Sequence, residues 1–136
     1  MKDRQLPSNY RVSVKALIRD ANGKILLVKE DSEDWGIPGG GMDHGETIEE
    51  GMRRELREEL AAEMASMSSL PVHVAPYYYV DLDRWRLWLL YEVKLTGEPR
   101  LGKDTKEIGW FGPADFPGLA FDKTEMEAVR DVLNLI

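Results

Sequence analysis

Apolar and polar residues alternate from residue 11 to residue 19. Apolar side chains form one face of this segment and polar side chains form the other: Val12, Val14, Ala16 and Ile18 against Arg11, Ser13, Lys15 and Arg19. A period of two predicts a strand that is buried on one face only. The pair Asn22-Gly23 then predicts a hairpin turn. The apolar run 25–28 predicts a buried strand.

The next regular pattern begins at residue 47 and has the period of a helix. Thr47 and Glu50 have the spacing of a capping box, which predicts a helix start. Apolar residues recur every four positions behind it: Ile48, Met52, Leu56 and Leu60. The preceding residues 35–45 contain five glycines and one proline, which predicts a loop shaped by its backbone.

Three more strands and a second helix are predicted in the remaining chain. The strands cover 72–80, 84–95 and 107–111. The second alternates strictly, so one face should be buried: Trp85, Leu87, Leu89, Tyr91, Val93 and Leu95. The last helix follows Asp122 and Glu125 and has its own apolar face: Met126, Val129, Val132, Leu133 and Ile136. Two amphipathic helices predict an α/β fold whose sheet is covered on both sides, and 136 residues suit a single domain over 1–136.

Several carboxylates of the first helix lie beside its apolar face rather than on the face expected to contact solvent. At about 100° per residue, Glu55 and Glu59 fall beside the apolar stripe, and Glu58 lies near them. Like charges at the edge of a buried face repel and lose hydration, so a cation is expected to compensate them. Clustered carboxylate oxygens suit Mg²⁺, Mn²⁺ or Ca²⁺. The alternative is an ordinary solvated helix, with surface pairs such as Glu49–Arg53 and Glu50–Arg54.

Charge and composition narrow the function classes. The net charge is −7, and residues 30–63 alone hold twelve acidic residues and three arginines. This charge argues against a long nucleic acid as partner, since binding to phosphate backbones needs clustered basic residues. The absence of cysteine excludes disulfides, thiolate nucleophiles and cysteine-bound metals. No long apolar run predicts a membrane span, and the first ten residues lack the apolar region of a signal peptide, so a cytoplasmic location is expected.

Residues 40–62 read GGMDHGETIEEGMRRELREELAA and closely resemble the Nudix box, as found in MutT-like proteins. Seven defining positions match at the family's spacing: Gly40, Glu46, Arg54, Glu55, Leu56, Glu58 and Glu59. The preceding segment 35–39 also resembles the family's approach to this box. Ala61 stands where the family has the glycine that ends the helix. We therefore predict that this helix continues through Glu63 and Met64 toward residues 66–68.

The resemblance implies a Nudix-type α/β/α sandwich, with a mixed sheet between the box helix and the C-terminal helix. It implies hydrolysis of a nucleoside diphosphate derivative with Mg²⁺ or Mn²⁺. The implied metal ligands are three glutamates and one carbonyl: Glu55, Glu58, Glu59 and that of Gly39. Arg54 and Glu46 would pair to join the loop to the helix. Glu58, Glu59 or a loop acid would accept the proton of the attacking water, and we favour Glu107 over Asp104 as that loop acid.

Substrate contacts are harder to predict from the sequence. The candidates are two tyrosines, a tryptophan and two basic residues: Tyr78, Tyr79, Trp88, Lys29 and Arg100. Core packing is the alternative for the aromatic residues, and a plain surface role is the alternative for the basic ones. Trp85 is expected in the core.

The implied partner is a small nucleotide-type diphosphate, which is favoured over capped RNA; no membrane partner is expected, and a homodimer is left open. Substrate classes left open are nucleoside triphosphates, dinucleoside polyphosphates, ADP-ribose and nucleotide sugars. Isopentenyl diphosphate isomerases share the fold, but their mechanism uses a cysteine that this chain lacks. The remaining alternative is a non-catalytic nucleotide- or metal-binding module, against which the complete set of box glutamates argues.

Overall fold

A computed structural model describes residues 8–136. It contains seven strands and two α-helices: β1 (Tyr10–Leu17), β2 (Ile25–Lys29), β3 (Gly39–Gly41), α1 (Ile48–Leu60), β4 (Met64–Met67), β5 (His73–Tyr79), β6 (Arg84–Leu95), β7 (Glu107–Phe111) and α2 (Met126–Leu133). The first seven residues, which carry most of the segment used for the signal-peptide prediction, lie outside the described residues. Over residues 8–136, no helix is long and apolar enough to cross a membrane.

The strands form one mixed sheet and one two-stranded sheet. β1 pairs with β6 in parallel and with β3 in antiparallel orientation, while β4 and β5 both pair with β6 in antiparallel orientation. β2 and β7 form the second, antiparallel sheet. One apolar cluster includes residues of α1 and the other includes residues of α2, on opposite sides of β1 and β6. The predicted α/β/α sandwich is confirmed.

β1 is buried on both faces, so the prediction of a strand open on one side is wrong. Val14 and Ala16 pack in the cluster that contains α1. On the opposite face, Ser13 is fully buried and Lys15 is only 6% exposed. An alternating pattern reports which face is more apolar, but a second layer of structure can still cover the polar face. In this chain that covered polar face becomes part of a cleft.

β6 likewise buries the face that its pattern did not favour. Trp85 is 44% exposed, whereas Trp88 and Leu90 on the other face are fully buried. Trp88 packs in the cluster that contains α2, and Tyr91 and Val93 pack in the cluster that contains α1. The predicted buried face is therefore correct only toward the end of the strand, and the prediction for Trp85 is wrong.

α1 begins as predicted and ends earlier than predicted. Thr47 and Glu50 form the capping box. The helix stops at Leu60, and Ala61 adopts a left-handed conformation with φ 47° and ψ 39°. The chain then forms β4, which pairs with the end of β6. The predicted continuation toward residues 66–68 is wrong because pairing of β4 with β6 outweighs the cost of a left-handed alanine.

The left-handed Ala61 predicts that Ala61→Gly stabilises the protein. A left-handed backbone conformation costs a non-glycine residue about 1–2 kcal/mol, and glycine would remove this cost. Glycine also raises the conformational entropy of the unfolded chain, which offsets part of the gain in stability. We expect a net gain of about 0.5–1 kcal/mol and a melting temperature about 2–4 °C higher. Ala21→Gly is the matched control, because Ala21 is exposed and its φ is not positive. If thermal unfolding shows that Ala61→Gly is no more stable than the wild type, the claim that Ala61 is strained would be contradicted.

Candidate active site

Glu59 is the buried acid of α1 and has one carboxylate oxygen without a partner. Its side chain is 2% exposed, and Oε1 accepts the Gly39 N–H at 2.7 Å. Oε2 has no hydrogen-bond partner among the described residues. Burial raises the pKa of Glu59 well above its usual range, and the carboxylate of Glu30 beside it raises the pKa further. This oxygen therefore needs a proton or a cation.

Glu55 lies one turn earlier, against the glycine loop. A Cβ built at Gly40 would be 2.8 Å from both carboxylate oxygens of Glu55, so a larger residue there would displace this carboxylate from the loop. Burial raises the pKa of Glu55, although Arg54 partly offsets this effect. Glu58 is more open: its side chain is 28% exposed against 13% for Glu55. The three glutamates thus differ in access to water.

Arg54 joins the loop to the helix and carries the predicted pair with Glu46. Its Nε lies 2.6 Å from Glu46 Oε2, and Nη2 donates to the Gly41 carbonyl at 2.9 Å. Nη1 reaches Glu55 Oε1 at 2.9 Å. The hydrogen bond from Arg54 lowers the pKa of Glu46 to about 2. The expected Glu50–Arg54 pair is not formed, because the Glu50 carboxylate accepts the Thr47 N–H of the cap.

The Glu46–Arg54 pair predicts a pH-dependent stability difference. Because the pKa of Glu46 falls from 4.5 to about 2 on folding, the pair stabilises the protein above pH 4.5, and this contribution is lost as the pH falls toward 2. Glu46→Gln should therefore melt lower than the wild type at pH 7, and the gap should close in acid. Exposed Glu49→Gln is the control. Equal melting temperatures of Glu46→Gln and wild type at pH 7 would rule out this role.

The donors suit a divalent cation in kind, but they are not gathered around one point. Residues 8–136 contain no group of three or more acidic or histidine side chains that could hold a metal ion. Arg54 Nη1 lies 2.9 Å from Glu55 and 3.4 Å from Glu58, and Lys15 Nζ donates to the Gly39 carbonyl at 3.3 Å. The unpartnered oxygen of Glu59 and the carboxylate set fit a hard ion. Binding would require Glu55 and Glu58 to turn away from Arg54.

A cleft of about 640 Å³ opens beside these glutamates. It is lined by ten acidic and two basic side chains. The acidic ones are Glu30, Asp31, Asp34, Glu55, Glu58, Glu59, Asp81, Asp104, Asp122 and Glu125; the basic ones are Lys15 and Arg86. A diphosphate entering such a cleft would meet strong repulsion unless bound cations reversed the local field.

The geometry of the cleft favours Asp104 over Glu107 as the loop acid, and the role of either residue stays a prediction. Asp104 lines the cleft, and its N–H donates to the Glu58 carbonyl at 3.2 Å. Glu107 begins β7 and pairs with Lys29 at 3.2 Å, outside the cleft lining. The sequence places both residues near the last strand, and only the path of the loop over the end of α1 separates them.

The predicted aromatic contacts separate into three environments. Tyr79 forms part of the cleft wall, and its hydroxyl donates to Glu125 at 3.0 Å. Tyr78 is exposed on the other face of β5, where its ring packs beside Trp85. Trp88 is fully buried, with Nε1 donating to the Tyr79 hydroxyl at 3.0 Å. A fully buried Trp88 has no surface free for the predicted substrate contact, and its core packing matches the alternative interpretation.

The two predicted basic contacts lie outside the cleft lining. Lys29 Nζ is held by Glu33 and Glu107 and lies 4.7 Å from the centre of the Trp35 ring. Arg100 is exposed, and its N–H donates to the Leu60 carbonyl at 2.8 Å. Their predicted contact with substrate finds no support in this geometry.

Sequence reasoning missed three cleft residues that matter chemically: Glu30, Lys15 and Arg86. Lys15 and Arg86 share the cleft face of β1 and β6. Their basic character on alternating strands is the available signal, but alternation alone predicts that this side faces solvent. Glu30 directly follows β2, and nothing in its neighbours distinguishes it from a solvated loop acid.

Comparison with known proteins identifies the family. The NUDIX domain model matches residues 9–132. A protein of Methanocaldococcus jannaschii named ADP-ribose pyrophosphatase is 32% identical over 126 residues, covering 90% of this chain and 73% of the relative. Nucleoside triphosphatase NudI of Escherichia coli K12 is 29% identical over 123 residues, covering 77% of this chain and 84% of the relative. The crystal structure of a MutT NUDIX hydrolase from Burkholderia pseudomallei aligns with a TM-score of 0.77 at 27% identity, covering 93% of this chain and 98% of that one. The chain therefore belongs to the NUDIX family, as a Nudix hydrolase of the pyrophosphohydrolase class.

Proposed function

We propose that this protein hydrolyses the diphosphate linkage of a small nucleoside diphosphate derivative, with Mg²⁺ or Mn²⁺ held by Glu55, Glu58, Glu59 and the Gly39 carbonyl. The observation that carries the proposal is the buried Glu59 carboxylate, whose Oε2 has no partner among the described residues. A buried, unpaired carboxylate oxygen is costly, and a cation at the cleft would remove that cost.

The protein's own residues then have distinct tasks. A bound divalent ion would neutralise the diphosphate and lower the pKa of the attacking water. Glu58 is the proposed proton acceptor, because it lines the cleft and is the more exposed of the two outer glutamates. Arg54 and Glu46 hold the glycine loop against α1. Asp104 replaces Glu107 as the proposed loop acid.

The names of the relatives suggest two substrates to try first. They are called an ADP-ribose pyrophosphatase and a nucleoside triphosphatase. Addition of water to ADP-ribose would give AMP and ribose 5-phosphate. Addition of water at the α-phosphorus of a nucleoside triphosphate would give a nucleoside monophosphate and pyrophosphate. Both reactions break one phosphoric anhydride bond, which is what the proposed site is arranged to do.

A product assay over a substrate panel tests the proposal. The panel contains nucleoside triphosphates including 8-oxo-dGTP, ADP-ribose, dinucleoside polyphosphates, nucleotide sugars and NADH, each with Mg²⁺, Mn²⁺ or EDTA. Metal-dependent release of a nucleoside monophosphate from at least one class is expected. Tight nucleotide binding without products under any metal would instead favour the non-catalytic binding module.

Several sequence predictions stay predictions at this point. They are the single domain over 1–136, the cytoplasmic location, the absence of long nucleic acid and membrane partners, and the open question of a homodimer. None of them affects the proposed chemistry.

A further inference from the structure

Two arginines occupy neighbouring positions on one face of the central sheet: Arg86 lines the cleft, whereas Arg11 lines an adjacent pocket at the start of β1. Arg11 of β1 and Arg86 of β6 are register partners on adjacent parallel strands, so their side chains leave the same face. Between residues 8 and 136, no carboxylate lies within ion-pair distance of either guanidinium. In a protein with a net charge of −7, two neighbouring cations without acidic partners are unusual.

Both guanidiniums are partly buried and incompletely satisfied. Arg11 Nε and Arg86 Nε are buried and have no hydrogen-bond partner among the described residues. Arg86 Nη1 makes only a long contact of 3.4 Å with Ser13 Oγ. Buried donors without acceptors destabilise a folded protein, so this pair has unused capacity for an anion.

The surroundings fix the orientation of the two side chains. The Arg86 guanidinium lies 4.8 Å from the centre of the Tyr79 ring, a cation–π contact in the cleft wall. A Cβ built at Gly41 would be 2.6 Å from Arg11 Cζ, so this glycine lets the Arg11 guanidinium approach β3. The adjacent Gly40 accommodates Glu55 in the same way. Arg11 therefore approaches β3 one residue away from the glycine against which Glu55 lies.

We propose that Arg86, assisted by Arg11, forms an anion subsite in the cleft wall that holds a phosphate group of the nucleotide substrate. A planar guanidinium donates two parallel hydrogen bonds to phosphate oxygens, which gives both affinity and orientation. The subsite would attract a phosphate group without a metal ion, in a cleft whose charged lining is mainly acidic. Its physiological ligand rests on the proposed function, but its binding chemistry can be measured without turnover.

The phosphate could belong to the 5′-chain of the nucleotide or to its ribose ring, and one titration experiment separates these sources. Isothermal titration calorimetry in EDTA would measure binding of adenosine 5′-monophosphate, adenosine 2′-monophosphate and adenosine. The proteins are wild type, Arg86→Gln, Arg86→Lys and Arg11→Gln. Arg130→Gln is the matched control, since Arg130 is exposed on α2 and is not part of the cleft lining.

We expect Arg86→Gln to bind one of the two monophosphates about 10- to 100-fold more weakly than wild type, with adenosine binding unchanged. The monophosphate affected identifies the source of the phosphate. Arg86→Lys should retain part of the affinity, Arg11→Gln should lose less than Arg86→Gln, and Arg130→Gln should match wild type. Arg11→Gln also keeps the test open if Arg86→Gln folds poorly.

Three results would overturn the subsite. In the first, the wild type binds neither monophosphate at millimolar concentration. In the second, wild type, Arg86→Gln and Arg11→Gln bind the monophosphates equally well. In the third, the variants lose as much affinity for adenosine as for the monophosphates. With a substrate from the panel, Arg86→Gln should raise KM about 10- to 100-fold and leave kcat within about threefold. Loss of monophosphate binding in a protein that hydrolyses nothing would retain the subsite and reject the proposed function. If the protein is active but Arg86→Gln changes neither monophosphate binding nor KM, the proposed function would be retained and the subsite rejected.

Discussion

Glu58→Gln is expected to fold normally and to lose about 10²- to 10⁴-fold in kcat. Glutamine keeps the size and one acceptor oxygen of glutamate, but it cannot take a proton from water. The side chain lines the cleft, is 28% exposed and makes only a 3.4 Å contact with Arg54. The substitution therefore removes little from the fold. Steady-state hydrolysis of the best panel substrate, with thermal unfolding to verify folding, measures this effect.

Glu49→Gln provides the matched control for that experiment. Glu49 lies on the exposed side of the same helix and makes only a 3.7 Å surface pair with Arg53. Its removal should leave kcat within about twofold, because exposed pairs contribute little energy. Full activity of Glu58→Gln would show that this carboxylate is neither the proton acceptor nor an essential ligand, and the assignment of Glu58 would fail.

Millimolar Mg²⁺ is expected to raise the melting temperature by about 5–10 °C. A ligand at about 100 times its Kd stabilises the folded state by about 2.7 kcal/mol, provided that it does not bind the unfolded chain. At about 2–4 °C per kcal/mol for a domain of roughly this size, that free energy corresponds to a shift of about 5–10 °C. The physical source is that a cation would compensate the carboxylates of Glu55 and Glu59, whose pKa values are raised by burial.

Glu59→Gln distinguishes the proposed site from general salt effects. This variant removes the buried charge, keeps an acceptor for the Gly39 N–H, and should lose most of the Mg²⁺-dependent shift. The exposed Glu49→Gln variant should keep the full shift. A melting temperature of wild type that does not respond to Mg²⁺ or Mn²⁺ would count against metal binding at these glutamates.

The parts of the site that follow one helix were predictable from the sequence. The capping box sets the start of α1, and helical geometry then places Glu55 and Glu59 next to the buried stripe. Spacing inside a helix is rigid, so the five matched box positions that lie within α1 have a fixed relative placement. The Arg54–Glu46 contact followed from the same resemblance and is present in the structure.

The parts that depend on distant segments were not predictable. The choice between Asp104 and Glu107 depends on how a loop crosses the end of α1. The burial of Trp88 depends on the layer formed by α2, and Lys15 lies against Trp88 and Glu125; local alternation cannot report either contact. The end of α1 at Ala61 depends on pairing between β4 and β6. In each case tertiary contacts outweighed a valid local preference.

Hydrolysis in ¹⁸O-labelled water tests the central claim most directly. ADP-ribose and a nucleoside triphosphate would be incubated with the enzyme and Mg²⁺, with Glu58→Gln and EDTA as parallel reactions, and the products analysed by mass spectrometry. If water attacks phosphorus at this site, wild type with Mg²⁺ should yield a nucleoside monophosphate and its co-product, one of which carries a single ¹⁸O. Both parallel reactions should yield almost none. Unlabelled products, or equal labelling in Glu58→Gln and in EDTA, would contradict metal-dependent hydrolysis by these glutamates.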